Sequence, residues 1–140
     1  MTTAPNVSKR LLVAEDDRHI ALLIELALEE LDVEVEWIAN GADALARLAS
    51  PPTPDALVLD LMLPGLTGFE VLRGLRREPG LVEMPVLVVS ARARDVDRKE
   101  ALRFGATAFL AKPFGIDELV QLVAGLIGVS PPPSEGAPPP

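Results

Sequence analysis

Five short apolar runs alternate with helical patterns along most of this chain. The runs are KRLLVA (9–14), EVEWIA (34–39), ALVLD (56–60), VLVVS (86–90) and AFLA (108–111). ALVLD and VLVVS are apolar almost throughout, which is typical of central parallel strands covered by helices on both faces. EVEWIA alternates glutamate with apolar residues, as an edge strand does. Regular strand–helix alternation predicts an α/β fold, with a doubly wound parallel sheet and right-handed crossovers.

The segments between the runs carry helix signals. Apolar residues at helical spacing predict the buried face of a first helix: Ile20, Leu23, Ala27 and Leu31. Asn40-Gly41 begins a second helix, which Pro51-Pro52 ends. Three more helices are expected at about 67–77, 95–104 and 115–127. We interpret the charged run RARDVDRKE as a solvated face of the fourth helix.

Length and composition fit one soluble domain. A chain of 140 residues, 49% of them hydrophobic, can bury a full core. A net charge of −8 argues against a nucleic-acid surface, and the absence of cysteine excludes disulfides and thiolate metal sites. We expect a flexible leader at 1–8, a domain at 9–128 and a proline-rich tail or linker at 129–140. No signal core or membrane-length apolar run is present in the sequence, so we expect a cytoplasmic protein.

Acidic, hydroxyl and lysine residues stand at the ends of four of the predicted strands. Glu15 and Asp16 follow the first run, Asp60 and Ser90 end the third and fourth, and Lys112 follows the fifth. The carboxyl ends of parallel strands share one rim, so these side chains should meet there. Crowded carboxylates repel unless a cation joins them, and oxygen ligands without Cys or His suit Mg²⁺. The sequence therefore predicts a site that handles phosphoryl groups.

Four motifs make the chain resemble the receiver domain of bacterial two-component response regulators. They are LLVAEDD, PDALVLDLMLPGLTGFEVL, PVLVVSAR and GATAFLAKPF, and the resemblance runs from about Lys9 to Gly128. It implies a flavodoxin-like (βα)5 fold with strand order 2-1-3-4-5. It also implies a phosphorylation switch that changes the surface of its fourth helix, fifth strand and fifth helix to control a partner or output domain. Such a protein is not an enzyme, since it catalyses only its own phosphorylation and slow dephosphorylation.

The resemblance assigns the acidic residues at the rim. It makes Asp60 the phosphoacceptor, which takes its phosphoryl group from a histidine kinase or a histidine phosphotransfer protein. Glu15, Asp16 and Asp60 would hold Mg²⁺ or Mn²⁺ together with the backbone carbonyl of Met62. Asp17, next to the acidic pair, is interpreted as a helix N-cap.

The resemblance also assigns the phosphoryl-binding and switch positions. Ser90 and Lys112 would bind the phosphoryl group, and the bond between Lys112 and Pro113 would be cis. Phe109 stands at the position of the switch aromatic residue, although a static core phenylalanine is a competing interpretation. Met62 and Arg92 fall where the family tunes dephosphorylation, and their bulk suggests a long-lived phosphoryl state.

The last helix differs from that of the winged-helix transcription factor subfamily, because it has no basic residue for a charged dimer. It has instead a wide apolar stripe: Leu119, Val120, Leu122, Val123, Leu126 and Ile127. Such a stripe suggests either a partner surface, including a homodimer, or complete burial against the sheet.

Three other functions compete with the switch. A haloacid dehalogenase phosphatase needs a second acid two residues after the nucleophile, where this chain has Met62. A flavin or nucleotide binder needs a phosphate loop, which the sequence lacks. A pseudo-receiver that only binds proteins is the main alternative, and the filled key positions argue against it. With no output domain in the sequence, we expect stand-alone action.

Overall fold

The computed structural model describes residues 8–131, which form a five-stranded parallel sheet between two layers of helices. In chain order the elements are β1 (Lys9–Ala14), α1 (Arg18–Ala27), β2 (Val33–Ile38), α2 (Gly41–Leu48), β3 (Ala56–Asp60), α3 (Gly68–Arg77), β4 (Val86–Ser90), α4 (Asp95–Arg103), β5 (Ala108–Ala111) and α5 (Ile116–Ile127). The strand order β2-β1-β3-β4-β5, with every pair parallel, confirms the flavodoxin-like prediction. Most of the expected leader and tail lies outside the described residues, although Ser8 donates a hydrogen bond to Asp32 over 2.9 Å.

Each face of the sheet has its own hydrophobic core, because successive strand residues point to opposite sides. Leu57 and Leu59 of β3 lie in the first core, which faces α2, α3 and α4, whereas Val58 lies in the second core, which faces α1 and α5. β3 and β4 are buried along their whole length, as their apolar sequences predict. These two central strands therefore hold the rim at their carboxyl ends in a fixed place.

The structure confirms part of the predicted buried face of α1, since Leu31 is buried and Ile20 and Ala27 pack against the core, and corrects it at Leu23. Ala21, Ile24 and Leu28 are buried, whereas Leu23 is 40% exposed. The centre of the buried face thus lies about one residue beyond the predicted stripe, with Ile20 and Ala27 at its margin. Several apolar residues lie on both sides of this helix, so periodicity alone did not fix which side faces the sheet.

The apolar stripe of α5 is used mainly within the domain. Leu119, Val120, Val123 and Ile127 are buried, and Leu122 and Leu126 are half-buried against the second core. Of the two interpretations offered by the sequence, burial against the sheet therefore accounts for most of the stripe. Among residues 8–131 no helix has both the length and the apolarity to cross a membrane.

The loop after β3 is held close to the strand end by a glycine. Gly68 donates its backbone N–H to the carbonyl of Leu61 over 3.0 Å. A Cβ atom at Gly68 would lie 2.5 Å from the Leu61 Cα and 2.6 Å from the Asp60 carbonyl oxygen. Only glycine allows α3 to begin this near to Asp60. The position of Asp60 is therefore fixed by β3 before it and by the start of α3 after it.

Candidate functional site

Residues from three strand ends meet in one ion-paired cluster. The Lys112 ammonium lies 2.5 Å from Glu15 Oε1 and 2.9 Å from Asp60 Oδ2. Glu15 and Asp60 are both buried, and Lys112 is half-buried above them. Lys112 is 97 residues from Glu15 in the chain, so only the sheet topology brings the two together. The predicted convergence at the rim is present.

The Asp60 carboxylate is held at both oxygens. Oδ1 accepts a hydrogen bond from the backbone N–H of Met62 over 2.9 Å, and Oδ2 accepts the one from Lys112. The strand end and the following loop thus orient the carboxylate, which would otherwise rotate. Met62 itself is 53% exposed.

Glu15 is the titratable group that the environment changes most. Its Oε2 accepts the backbone N–H of Asp17 over 3.0 Å. The pKa of Glu15 is raised to about 7, chiefly by burial; the hydrogen bonds from Lys112 and Asp17 oppose the rise, and the nearby Asp60 charge adds to it. Burial also acts to lower the pKa of Lys112, but its bonds to Glu15 and Asp60 outweigh this and raise that pKa. The cluster therefore has more negative charge than its one ammonium neutralises.

The acidic residues have the chemistry of a hard-cation site. Glu15, Asp16 and Asp60 each offer a carboxylate oxygen, and these atoms lie within 4.8 Å of one another. Asp16 is exposed, which leaves an open side to the group. Asp17 is the N-cap of α1, as predicted, and accepts from the backbone N–H groups of His19 and Ile20. Oxygen ligands at this spacing fit Mg²⁺ or Mn²⁺.

Ser90 and Phe109 lie on the neighbouring strands. Ser90 is completely buried, and its Oγ accepts the backbone N–H of Arg92 over 3.1 Å. Phe109 is half-buried against the first core, and the Arg98 guanidinium carbon lies 5.0 Å from its ring centroid. The ring is therefore covered on one side by a charged side chain from α4, an arrangement the sequence did not indicate. The peptide bond between Lys112 and Pro113 is cis, as expected.

The sequence indicated no functional role for two residues near the site, Trp37 and Asp97. The indole N–H of Trp37 donates to the Glu15 backbone carbonyl over 2.5 Å, although the side chain is 40% exposed. The alternating pattern of β2 placed Trp37 on that strand, but nothing in it indicated this bond. Asp97 is buried within a run interpreted as solvated, so that interpretation is wrong for this residue. Its burial accompanies its hydrogen bonds to Arg94, which the charged run did not distinguish from solvated charges.

The family model of the response regulator receiver domain matches residues 11–124. The chain belongs to this family. The phosphate regulon transcriptional regulatory protein PhoB of Rhizobium meliloti is 35% identical over 118 residues, which are 84% of this chain and 52% of that protein. This receiver domain thus spans about half the length of the curated relatives it matches.

Two solved receiver domains are similar in structure. That of Francisella response regulator 1452 has a TM-score of 0.78 and 34% identity, covering 86% of this chain and 97% of its own. The receiver domain of a sensor histidine kinase from Pseudomonas aeruginosa has a TM-score of 0.78 and 31% identity, covering 87% and 99%. The latter has a magnesium ion coordinated in its active-site cleft.

Proposed function

We propose that this receiver domain is a phosphoaspartate switch with Asp60 as the phosphoacceptor. The observation that carries the proposal is the buried Asp60 carboxylate, paired with Lys112 and flanked by Glu15. A carboxylate oxygen of Asp60 forms the new bond to phosphorus as the bond to the donor breaks. With a phosphohistidine donor, from a histidine kinase or a histidine phosphotransfer protein, the electron pair leaves on the imidazole nitrogen.

Glu15, Asp16, Asp60 and the Met62 carbonyl are proposed to hold Mg²⁺ or Mn²⁺. The cluster of carboxylate oxygens within 4.8 Å supports this set. The bound ion supplies positive charge that stabilises the transferring phosphoryl group. Lys112 supplies a second positive charge beside Asp60, and its ion pairs with both buried carboxylates keep it in place.

Ser90 and Lys112 are proposed to bind the phosphoryl group once it is formed, with Phe109 following Ser90 as the switch aromatic. The neighbouring strand positions support this group, since Ser90 pairs with Ala111 in register and Val88 pairs with Phe109. The resulting change would reach the surface of α4, β5 and α5, where a partner or output domain would read it. A homodimer through α5 and a cytoplasmic location are proposals of the same kind.

Met62 and Arg92 are proposed to slow dephosphorylation by restricting the access of water. Both side chains are more than half exposed, at 53% for Met62 and 57% for Arg92, and both begin two residues after a site residue. A half-life of the phosphorylated protein that shortens in Met62→Ala and in Arg92→Ala would support this role. An unchanged half-life in both variants would contradict it.

Intact mass after incubation with acetyl phosphate and Mg²⁺ tests the main proposal. We expect a gain of one phosphoryl group that requires Mg²⁺, is lost in Asp60→Asn and persists in Asp95→Asn, which changes an exposed acid on α4. A chain that gains nothing would be examined with beryllofluoride, reading Mg²⁺-dependent fluorescence of Trp37, the only tryptophan. No response in either experiment would overturn the proposal in favour of a pseudo-receiver.

A further inference from the structure

Within residues 8–131, four polar or charged residues are buried: Glu15, Asp60, Ser90 and Asp97. The first three belong to the rim of the sheet. Asp97 lies in the first turn of α4 and has no part in the function proposed above. A buried carboxylate this near to the site needs a partner, because an unpaired buried charge is strongly destabilising.

Asp97 finds its partners in the loop that leaves the rim at Ser90. Its Oδ2 accepts the backbone N–H of Arg94 over 3.1 Å and the Nε of the same residue over 2.9 Å. Its Oδ1 accepts a hydrogen bond from Nη2 of Arg94 over 3.3 Å and lies 3.9 Å from Nη2 of Arg92. Hydrogen bonding to Arg94 lowers the pKa of Asp97, so this carboxylate is anionic.

The two arginines are held unequally. Arg94 makes short hydrogen bonds from both its backbone and its side chain, whereas Arg92 makes one longer ion contact and keeps most of its side chain in solvent. If Arg92 moved away, Asp97 would still be neutralised by Arg94. Arg92 also begins next to the site, since its backbone N–H donates to Ser90 Oγ. Of the two arginines, Arg92 is therefore the one whose side chain can move away from Asp97 with the smaller loss of interaction energy.

We propose that Asp97 is a positioning residue that competes with the phosphoryl group on Asp60 for the guanidinium of Arg92. The proposal rests on the proposed function, because it needs a phosphorylated Asp60. A guanidinium binds phosphoryl oxygens with two parallel hydrogen bonds, and these are stronger than the single contact to Asp97. Asp97 then sets how often Arg92 covers the phosphoryl group, and so how quickly water removes it.

Substitutions of Asp97 and of Arg94 should change the dephosphorylation rate in opposite directions. Asp97→Asn frees Arg92, so we expect the dephosphorylation rate to fall about two- to fivefold, the range that an exposed ion pair spans. Arg94→Ala leaves Arg92 as the remaining side-chain partner of Asp97, so we expect the rate to rise by a similar factor. A merely structural role for Asp97 would loosen the same loop in both variants and change the rate in one direction.

The experiment loads each full-length variant with acetyl phosphate and Mg²⁺, removes the donor, and follows the loss of the phosphoryl group by intact mass. Asp95→Asn, which changes an exposed acid of the same helix turn, should decay at the wild-type rate. In an Arg92→Ala background, Asp97→Asn should have no further effect. Should Asp97→Asn fail to fold, the expected acceleration in Arg94→Ala and its disappearance in the Arg92→Ala background decide the question.

The experiment separates a failure of the proposed function from a failure of the inference about Asp97. Wild-type protein that takes up no phosphoryl group overturns the proposed function and this inference with it. Wild-type protein that is phosphorylated normally, with a rate unchanged by Asp97→Asn and Arg94→Ala, overturns the inference alone. A rate change that persists in the Arg92→Ala background also overturns it, because Asp97 would then act by another route.

Discussion

Replacing Glu15 with glutamine should stabilise the metal-free protein at neutral and alkaline pH. Glu15 is buried beside Asp60, and its pKa is raised from 4.5 to about 7 chiefly by burial. Ionising this group therefore costs more in the folded than in the unfolded chain. Its favourable contribution is complete below about pH 4.5 and is lost as pH rises through about 7. Glutamine has a similar shape and does not titrate, so Glu15→Gln avoids this loss.

The size of the effect follows from the pKa. A rise from 4.5 to about 7 corresponds to about 3 kcal/mol of unfolding free energy at full strength. The rim opens to solvent at the exposed Asp16, so screening reduces the expected gain to about 1.5 kcal/mol. The difference between Glu15→Gln and wild type should thus grow by about that amount between about pH 5 and about pH 8.

Urea unfolding in the presence of a chelator, at both pH values, measures the difference directly. Glu25→Gln is a matched control, because it removes an exposed carboxylate of α1 and should change stability by less than about 0.5 kcal/mol. Adding Mg²⁺ should stabilise the wild type and have little effect on Glu15→Gln, because the variant lacks a proposed ligand. A stability difference that stays constant or shrinks as pH rises would refute the reasoning.

Three further substitutions, together with Gly125→Ala as a control, test how the fold supports the site. Gly68→Ala should destabilise the protein by about 2 kcal/mol or more, because the new Cβ would meet the backbone of Asp60. Gly125→Ala, in open space on α5, should instead stabilise the protein by about 0.5 kcal/mol or more. Denaturant midpoints measure both changes. Asp17→Ala should cost about 1 kcal/mol through loss of the α1 cap, and an unchanged thermal midpoint would contradict it. Arg76→Ala should cost about 1–3 kcal/mol by leaving the Gly105 carbonyl without the guanidinium, and hydrogen exchange should show a loosened start of β5.

The sequence predicted an element correctly where only one structure fits its apolar pattern. It misplaced part of the buried face of α1, where two helix faces are possible. β3 and β4 are apolar on both faces, and only a central strand between two helical layers satisfies such a pattern. In α1, the apolar residues continue round the helix, with Leu22 and Leu26 exposed beside the buried Ile24. Which of them faces the sheet depends on α5 and the strands, and local periodicity does not contain that information.

The same distinction applies to the site. The proximity of Glu15, Asp60 and Lys112 could be predicted from the sequence, because the topology of a parallel sheet places the carboxyl ends of its strands at a common rim. The bond from Trp37 and the burial of Asp97 depend on side-chain directions in one loop and one edge strand. The phosphoryl-transfer roles came only from the family resemblance, since spacing alone does not distinguish a reactive carboxylate from a structural one.

The arrangement of charge at the rim suits the proposed switch. The two apolar cores fix the strand ends, while the rim holds two buried carboxylates against one ammonium. Such a cluster is less favourable than an apolar one, and a cation or a new partner for Lys112 relieves it. Under the proposed function, a phosphoryl group on Asp60 changes the local charge and would redistribute the contacts of Lys112 and Arg92. Because Asp97 already holds Arg92 loosely, this redistribution can reach α4 without disturbing either core.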